Sequence, residues 1–360
     1  MPEEVRSEHA RLLELINDLT ELVGPSGEEG PVLDAVAALW TEAGLEVERS
    51  QIGNLVGRAG GRGPRLLLAA HADELCYFVR AIDPAGYLWL ANGQAWARTT
   101  SVRNAFTIGA PVHVLARRGP LPGYIATVTG HMASLVLREP AELTWNDFWV
   151  DTGLTRDELL AHGVTAGTRV VWQARTRRVG RHLVGKAFDD RVALAVITEV
   201  VRRVPEAERR WELALAATVQ EEIGVIGASA LAARERFAAA IVVETGLTGD
   251  VPQAGDTSMP IQLGAGPALV HKDSLVHYDH ALTCRLEQAA AHCGVAIQHA
   301  VFGSFGSDGA AFMKADIPTA MVAFPTRYTH TPFETVDEQD IAGLVDWLCA
   351  FVRGRSEPSA

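Results

Sequence analysis

Residues 66–74 read LLLAAHADE, so an apolar run typical of a buried strand ends directly at His71 and Asp73. Three further apolar runs also end on, or lead directly into, acidic residues or a histidine. They are 213–219 before Glu221 and Glu222, 239–243 before Glu244, and 320–324, which leads through 325–328 to His330. Ligands bind outside the carboxyl ends of the strands in open α/β sheets. The sequence therefore predicts an α/β fold whose strands bring enough nitrogen and carboxylate ligands to one edge for two borderline cations.

The composition of the chain changes twice along its length, which predicts two domains. Ser26, with the two glutamates that follow it, is expected to open a helix at 31–44. From about 76 to 178 the chain is rich in Val, Thr, Gly, Pro and Trp in short alternating runs, which predicts an all-β module. We therefore assign 1–75 plus 179–360 to a discontinuous α/β domain, and 76–178 to an inserted β-rich domain.

Length, charge and cysteine content limit the classes of function. The chain has 360 residues, enough to bury a large core, and a formal net charge of −12. This acidity argues against binding to nucleic acid or to anionic membranes. The four cysteines show neither zinc-finger spacing nor a disulfide framework, so we expect reduced and mainly buried thiols. The charged start at 1–6 lacks the apolar core of a signal peptide, and we expect a cytoplasmic protein.

Two pairs of polar residues each allow a structural and a functional interpretation. In the structural interpretation, His71 and Asp73 are surface residues or hydrogen-bonded residues of the core with no role in binding. In a metal site His71 would bind the cation, and Asp73 would hydrogen-bond its other ring nitrogen and fix the tautomer. Asp189 and Asp190 could simply be acidic residues in the first turn of a helix. Alternatively, one of these aspartates bridges two cations with its two oxygens.

The adjacent glutamates Glu221 and Glu222 follow an apolar strand directly. Such pairs are common on exposed turns, but in a metal site one can bind a cation while the other is the general base for the attacking water. Asp308 lies in a glycine-rich turn, where aspartate is also a routine turn former. Each pattern is modest by itself, and their combination in one chain indicates a metal centre.

Seven motifs in a fixed order over nearly the whole chain carry a more specific signal. They are 24–27 (GPSG), 70–74 (AHADE), 151–153 (DTG), 185–191 (GKAFDDR), 219–224 (VQEEIG), 306–308 (GSD) and 325–330 (PTRYTH). Together they resemble the cytosolic tetrahedral, or TET-type, aminopeptidases. This family of co-catalytic di-metal exopeptidases includes glutamyl aminopeptidases and proteins once labelled endoglucanase M or cellulase M.

The resemblance implies a mixed-sheet, zinc-exopeptidase-like catalytic domain with an inserted β-barrel-like dimerisation domain. It implies five metal ligands, with Asp189 bridging the two cations: His71, Asp189, Glu222, Glu244 and His330. It also implies two catalytic residues, Glu221 as general base and Asp73 as the residue that orients His71. The implied cofactors are two divalent cations, zinc in the first place and cobalt or manganese as alternatives. The implied partners are short peptide substrates and further copies of the chain, in a dimer-built homo-oligomer of up to twelve subunits.

Glu244 leaves the substrate class open. The family usually has aspartate at this position, and the extra methylene of glutamate moves the carboxylate by roughly 1.5 Å. Related di-zinc hydrolases that act on acylated amino acids or C-terminal residues tend to carry glutamate there. We predict hydrolysis of N-terminal residues from short peptides, with a deacylase or amidase acting on N-acylated amino acids as the alternative. A non-catalytic oligomeric scaffold is a third hypothesis, which the complete ligand set disfavours.

Overall fold

The computed structural model describes residues 3–93, 108–128, 144–252, 259 and 261–354. The chain divides into two compact units. The first comprises 1–74, 176–329 and 334–360, and the second comprises 75–175 and 330–333. Among the helices of the described residues, none is long and apolar enough to cross a membrane.

The strands of the described chain form one mixed sheet in the first unit and one barrel in the second. They are β1 (Glu46–Arg49), β2 (Leu55–Gly60), β3 (Arg65–His71), β4 (Tyr77–Ile82), β5 (Leu88–Asn92), β6 (Pro111–Ala116), β7 (Gly119–Ala126), β8 (Trp149–Asp151), β9 (Arg169–Trp172), β10 (Arg177–Val179), β11 (His182–Gly185), β12 (Glu212–Thr218), β13 (Ala239–Leu247), β14 (Ala268–Lys272), β15 (Gln298–Val301), β16 (Thr319–Arg327) and β17 (Glu334–Asp337). The sheet runs β1-β2-β12-β3-β13-β16-β17-β11-β10, with β14 paired to β16 and β15 paired to β14.

Four neighbouring strands at the centre of the sheet, in the order β12-β3-β13-β16, run parallel to one another. They contain the four apolar runs that the sequence singled out, so the predicted common edge of carboxyl ends is confirmed. Leu66, Leu67 and Leu68 of β3 are all fully buried. A parallel strand covered on both faces has no solvent-facing side, which explains its continuous apolar sequence.

Helices cover both faces of this sheet. They are α1 (Glu3–Glu21), α2 (Gly30–Glu42), α4 (Phe188–Arg203), α5 (Ile226–Arg234), α6 (His280–Cys293), α7 (Gly309–Lys314) and α8 (Glu338–Val352), with α3 (Arg156–Ala161) in the second unit. Leu66 and Leu68 belong to the larger core, which joins one face of the sheet to α1, α2, α4, α6 and α8. Leu67 and Ala69 face the opposite way and belong to the core beneath α5 and α7. The first unit is therefore a three-layer α/β/α structure.

The second unit is a closed barrel of strands in the order β4-β5-β8-β7-β6-β9. Alternating apolar residues of these strands fill its interior, namely Val79, Leu88, Leu90, Val112, Val114, Ile125, Val150 and Val170. Thr155 and Glu158 form a capping box at the start of α3. The predicted mixed-sheet α/β fold with an inserted β-barrel-like module is thus confirmed.

Two local expectations from the sequence are wrong. Ser26 does not cap α2, because the residue at the N-cap is Glu29 and the Ser26 hydroxyl instead donates to Oδ2 of Asp73 at 2.6 Å. All four cysteines are free as expected, but Cys284 and Cys293 are partly exposed rather than buried. The Ser26 error reflects a tertiary contact with Asp73, whereas Cys284 and Cys293 lie on α6 outside its set of buried residues.

Candidate metal centre

The chain places a histidine and two glutamates at the shared carboxyl edge of β3 and β12. His71 is the last residue of β3 and is in register with Thr218, the last residue of β12. Gln220 then adopts a left-handed φ of +57°, a region that non-glycine residues seldom occupy outside special turns. Glu221 and Glu222 follow in this turn and lie partly buried and buried, respectively.

Glu244 reaches the same edge from inside a strand rather than from its end. The apolar run predicted that the strand stops at this residue, and that expectation is wrong, because β13 continues to Leu247. Ala69 of β3 pairs with Val242 of β13. Two residues further along each parallel strand, Glu244 therefore lies level with His71.

His71 is buried among carboxylates. Its Nε2 lies 2.9 Å from Oδ1 of Asp189 and 3.9 Å from Oε1 of Glu244, and its Nδ1 lies 3.3 Å from Oδ1 of Asp73. Its backbone N–H donates to Oδ2 of Asp190 at 3.2 Å. Both ring nitrogens thus face acidic oxygens, as required when one nitrogen binds a cation and the other is oriented by a carboxylate.

Two overlapping groups of side chains could each hold a cation. His71, Asp189 and Glu222 form one, and His71, Asp190 and Glu244 form the other, with the ligand atoms of each group within 4.8 Å of one another. All five residues are buried. Imidazole nitrogen with carboxylate oxygen is a donor set that suits zinc, cobalt and manganese. These residues therefore fit the cations that the family resemblance implies.

The electrostatics of the cluster also favour a bound cation. Burial and the neighbouring carboxylates raise the pKa of Glu221 and of Glu244 well above the usual value for glutamate. Burial by itself would lower the pKa of His71, but the carboxylates of Glu244, Asp189 and Asp73 outweigh it and hold that pKa well above the ordinary value. The site thus carries more negative charge than its own imidazole compensates, and a divalent cation would stabilise the ionised carboxylates.

Two further acidic residues, outside the ligand set that the family resemblance implies, belong to the site. Asp190 joins the second ligand group, and its Oδ1 is buried without a hydrogen-bond partner. Asp308 is fully buried instead of forming a surface turn, and it accepts a hydrogen bond from the Thr218 hydroxyl. Burial raises the pKa of Asp308 to about 6. In the sequence, Asp190 belongs to an acidic pair that offers a bridging carboxylate and Asp308 to a glycine-rich turn, and the two residues lie in the 185–191 and 306–308 motifs.

Asp73 connects the ends of two strands. Its Oδ1 accepts the backbone N–H of Glu221 at 3.0 Å, and its Oδ2 accepts the Ser26 hydroxyl at 2.6 Å and the backbone N–H of Glu222 at 3.3 Å. Burial alone would raise the pKa of Asp73, but hydrogen bonds from these donors and the nearby His71 lower it. Asp73 therefore stays ionised and fixes both His71 and the turn that carries the two glutamates.

His330 lies beyond the end of β16, in the segment 330–333 that groups with the second unit. It is partly buried and has a left-handed φ of +64°. Strained backbone of this kind is frequent at functional sites. The role of His330 as a ligand remains a prediction.

Comparisons with known proteins identify the chain as a hydrolase that acts on peptide bonds, a metallo-aminopeptidase. It belongs to the M42 glutamyl aminopeptidase family, whose sequence profile matches residues 53–346. The predicted family is thereby confirmed.

Three relatives illustrate the similarity. The aminopeptidase APDkam598 from the archaeon Desulfurococcus kamchatkensis is 26% identical and has a TM-score of 0.87, covering 96% of this chain and 95% of its own. A TET aminopeptidase from a marine sediment Thaumarchaeota archaeon is 27% identical, with a TM-score of 0.87 and 96% of each chain covered. The lysyl aminopeptidase of Pyrococcus furiosus is 25% identical over 343 residues, which are 92% of this chain and 94% of its own.

Proposed function

We propose that this chain is a co-catalytic di-metal aminopeptidase that removes N-terminal residues from short peptides. The observation that carries the proposal is the buried group of His71, Asp189, Glu222 and Glu244 at one sheet edge, in a chain of the M42 family. Two divalent cations, zinc in the first place and cobalt or manganese as alternatives, would supply Lewis acidity to the scissile carbonyl and the attacking water.

Five side chains would hold the cations. They are His71, Asp189, Glu222, Glu244 and His330. Asp189 is proposed to lie between the two cations because a carboxylate can offer one oxygen to each. Its Oδ1 lies 2.9 Å from Nε2 of His71, closer than Oε1 of Glu244 at 3.9 Å. His330 is included because its motif follows β16, the fourth strand of the parallel set.

Glu221 is proposed as the general base. It would accept a proton from the attacking water and deliver it to the leaving amine. Asp73 supports this role as a positioning residue, since it binds the backbone N–H of Glu221 at 3.0 Å. Burial and the charges of Glu244 and Asp308 raise the pKa of Glu221.

A second candidate function is hydrolysis of N-acylated amino acids. The observation that favours it is Glu244, which stands where the family usually has aspartate and which lies level with His71. Its Oε1 accepts the backbone N–H of Thr245 at 2.8 Å, so the longer side chain folds back onto its own strand. The space left beside the Glu244 carboxylate would decide whether the site binds a substrate with a free amine or one with an acylated nitrogen.

The deciding experiment strips the protein of metal, reloads it with zinc or cobalt, and assays aminoacyl substrates beside their N-acetylated twins. Cleavage of the free-amine set alone, restored by metal, is the expected result and would also reveal the preferred N-terminal residue. Cleavage of the acetylated set alone would replace the first proposal by the second. Binding of metal with no cleavage of either set would support the scaffold hypothesis.

The assembly is proposed as a homo-oligomer built from dimers, with 76–178 as the dimerisation domain and twelve subunits as the largest form. A TET aminopeptidase is among the relatives of the chain, which supports this proposal. Light scattering coupled to size-exclusion chromatography tests it directly. A mass equal to that of one chain at micromolar concentration would contradict it.

A further inference from the structure

The turn at 219–222, which follows β12 and carries the two adjacent glutamates, is held by side chains from distant parts of the chain. Each of its four consecutive backbone N–H groups donates to a side-chain oxygen. The first donates to Asn54 at 3.1 Å, the second to Glu29 at 3.1 Å, and the last two to Asp73 at 3.0 and 3.3 Å. The position of the proposed base therefore depends on three side chains that precede it by more than 140 residues.

Glu29 occupies the N-cap position of α2, but its side chain makes no capping hydrogen bond to that helix. Serine, threonine, aspartate and asparagine are preferred at an N-cap because their short side chains reach the N–H groups of the first turn. Oε1 of the buried Glu29 instead accepts the N–H of Gly27 at 2.7 Å and that of Gln220 at 3.1 Å, across 191 residues. The side chain of Glu29 thus fixes the turn after β12 and not the start of its own helix.

Gln220 is the residue of this turn whose backbone most needs support. Its left-handed φ of +57° is a conformation that residues with a Cβ seldom adopt. Such a conformation persists only where the surrounding structure determines it. The hydrogen bond from Gln220 to Glu29 supplies part of this support. Because Glu221 is the next residue, a change in the backbone of Gln220 would redirect the Glu221 carboxylate.

We propose that Glu29 is a positioning residue for Glu221, acting through the backbone N–H of the preceding residue. This inference rests on the proposed function, in which Glu221 is the general base. The loop at 24–29 then supports the turn in two ways. Glu29 binds the turn directly, and the Ser26 hydroxyl donates at 2.6 Å to Asp73, which binds the next two N–H groups.

This role requires an acceptor oxygen at the right distance but not a negative charge. Burial raises the pKa of Glu29, backbone N–H groups that donate to it partly offset this effect, and the nearby Asp73 carboxylate adds to it. An amide oxygen accepts an N–H as a carboxylate oxygen does. Side-chain length matters more, because removal of one methylene draws the acceptor back by roughly 1.5 Å.

The test compares two substitutions of Glu29 in the metal-loaded full chain. Glu29→Asp keeps the charge and introduces a preferred N-cap residue, so α2 should form normally, but the shorter side chain no longer reaches Gln220. We expect kcat to fall about 10- to 100-fold, the cost of a displacement of about 1 Å, with KM and metal content nearly unchanged. Glu29→Gln should rescue kcat to within about threefold of wild type, because it keeps the acceptor. Glu28→Gln, at the exposed neighbouring position, is the matched control.

Hydrogen–deuterium exchange of the peptide 219–224 provides a readout that does not depend on turnover. Exchange should be faster in Glu29→Asp than in wild type, and unchanged in Glu29→Gln and Glu28→Gln. Wild-type kcat in Glu29→Asp, equal losses of kcat in the two Glu29 variants, or unchanged exchange in Glu29→Asp would overturn the positioning role. A wild type that cleaves no substrate would contradict the proposed function instead, since the exchange rates would still show whether Glu29 holds the turn.

Discussion

The backbone N–H of Glu221 donates a hydrogen bond of 3.0 Å to Oδ1 of Asp73, across 148 residues of sequence. Asp73 follows β3, and Glu221 follows the neighbouring parallel strand β12. One carboxylate thus fixes the proposed base in place while its Oδ1 also lies 3.3 Å from Nδ1 of His71. The position of the base and the orientation of a metal ligand are therefore coupled through a single side chain.

Asp73→Asn should damage both functions of this carboxylate. An amide offers one acceptor oxygen, and its NH₂ group would face a backbone N–H of Glu221 or Glu222. We expect kcat/KM or metal affinity to fall about 10- to 100-fold, as for other residues that orient metal ligands. Asp151→Asn in the barrel, whose carboxylate accepts Gly153 N–H and the Tyr124 hydroxyl, is the matched control. Equal activity of Asp73→Asn and the control would refute the positioning role.

Glu221→Gln should separate chemistry from metal binding. The amide cannot accept the proton of the attacking water, so kcat is expected to fall about 10²- to 10⁴-fold while metal content stays unchanged. Glu222→Gln is the paired variant, and it should lose metal because Glu222 belongs to the first ligand group. Steady-state kinetics together with elemental analysis distinguish the two outcomes. Near wild-type turnover in Glu221→Gln would show that another group is the base.

Lys186→Met should destabilise the fold. Nζ of Lys186 lies 2.8 Å from Oε2 of Glu74, and both side chains are only 3% exposed. Burial lowers the pKa of Lys186, although the Glu74 carboxylate opposes this effect. Removing the Lys186 cation leaves the buried Glu74 carboxylate with the Arg191 guanidinium, 3.8 Å from its Oε1, as a more distant charge partner. Breaking a buried ion pair costs about 3–5 kcal/mol in the free energy of unfolding.

The control for that prediction is Arg49→Met, which breaks the exposed ion pair with Asp34 at 2.7 Å. Exposed pairs contribute about 0–1 kcal/mol, so its denaturation midpoint should barely move. Urea denaturation of both variants makes the comparison. Similar losses of unfolding free energy in the two variants would show that the buried Lys186–Glu74 pair stabilises the fold no more than the exposed pair does.

Asp340 should make stability depend on pH. Burial raises its pKa to about 6, against an ordinary value of 3.8, although the backbone N–H groups of Gly264 and Gly266 donate to it. The native state therefore binds more protons than the unfolded state between these two values. The stabilising effect of protonation is complete below the unfolded pKa and is lost as pH rises through about 6.

Asp340→Asn removes this titration. Relative to the variant, the wild type should lose about 1 kcal/mol in the free energy of unfolding between about pH 5 and about pH 7. A constant offset of about 1 kcal/mol is expected from the backbone N–H that asparagine no longer accepts. Urea melts at several pH values give the difference curve. A flat difference across the range would show that Asp340 titrates normally.

The strands and their order along the chain could be predicted from the sequence, whereas the side-chain contacts could not. The four apolar runs predict four buried strands whose carboxyl ends share one edge of the sheet, because a strand buried on both faces must be apolar throughout. The same pattern predicts the wrong end for β13, because the buried carboxylate of Glu244 interrupts the apolar run although the strand continues to Leu247. A hydroxyl before a helix usually caps it, so the sequence favours Ser26 as a helix cap. Its real partner, Asp73, is 47 residues away in the sequence.

The sequence by itself determined the alternation of strands and helices, the β-rich insertion and the residue types able to bind cations, because these depend on local periodicity and composition. Only the tertiary structure decided which acidic groups meet. The register between β3 and β13 places Glu244 beside His71. The first turn of α4 brings Asp190, whose Oδ1 has no hydrogen-bond partner, into the same cluster. Contacts of this kind follow from strand pairing and helix packing over long sequence separations, which no local pattern encodes.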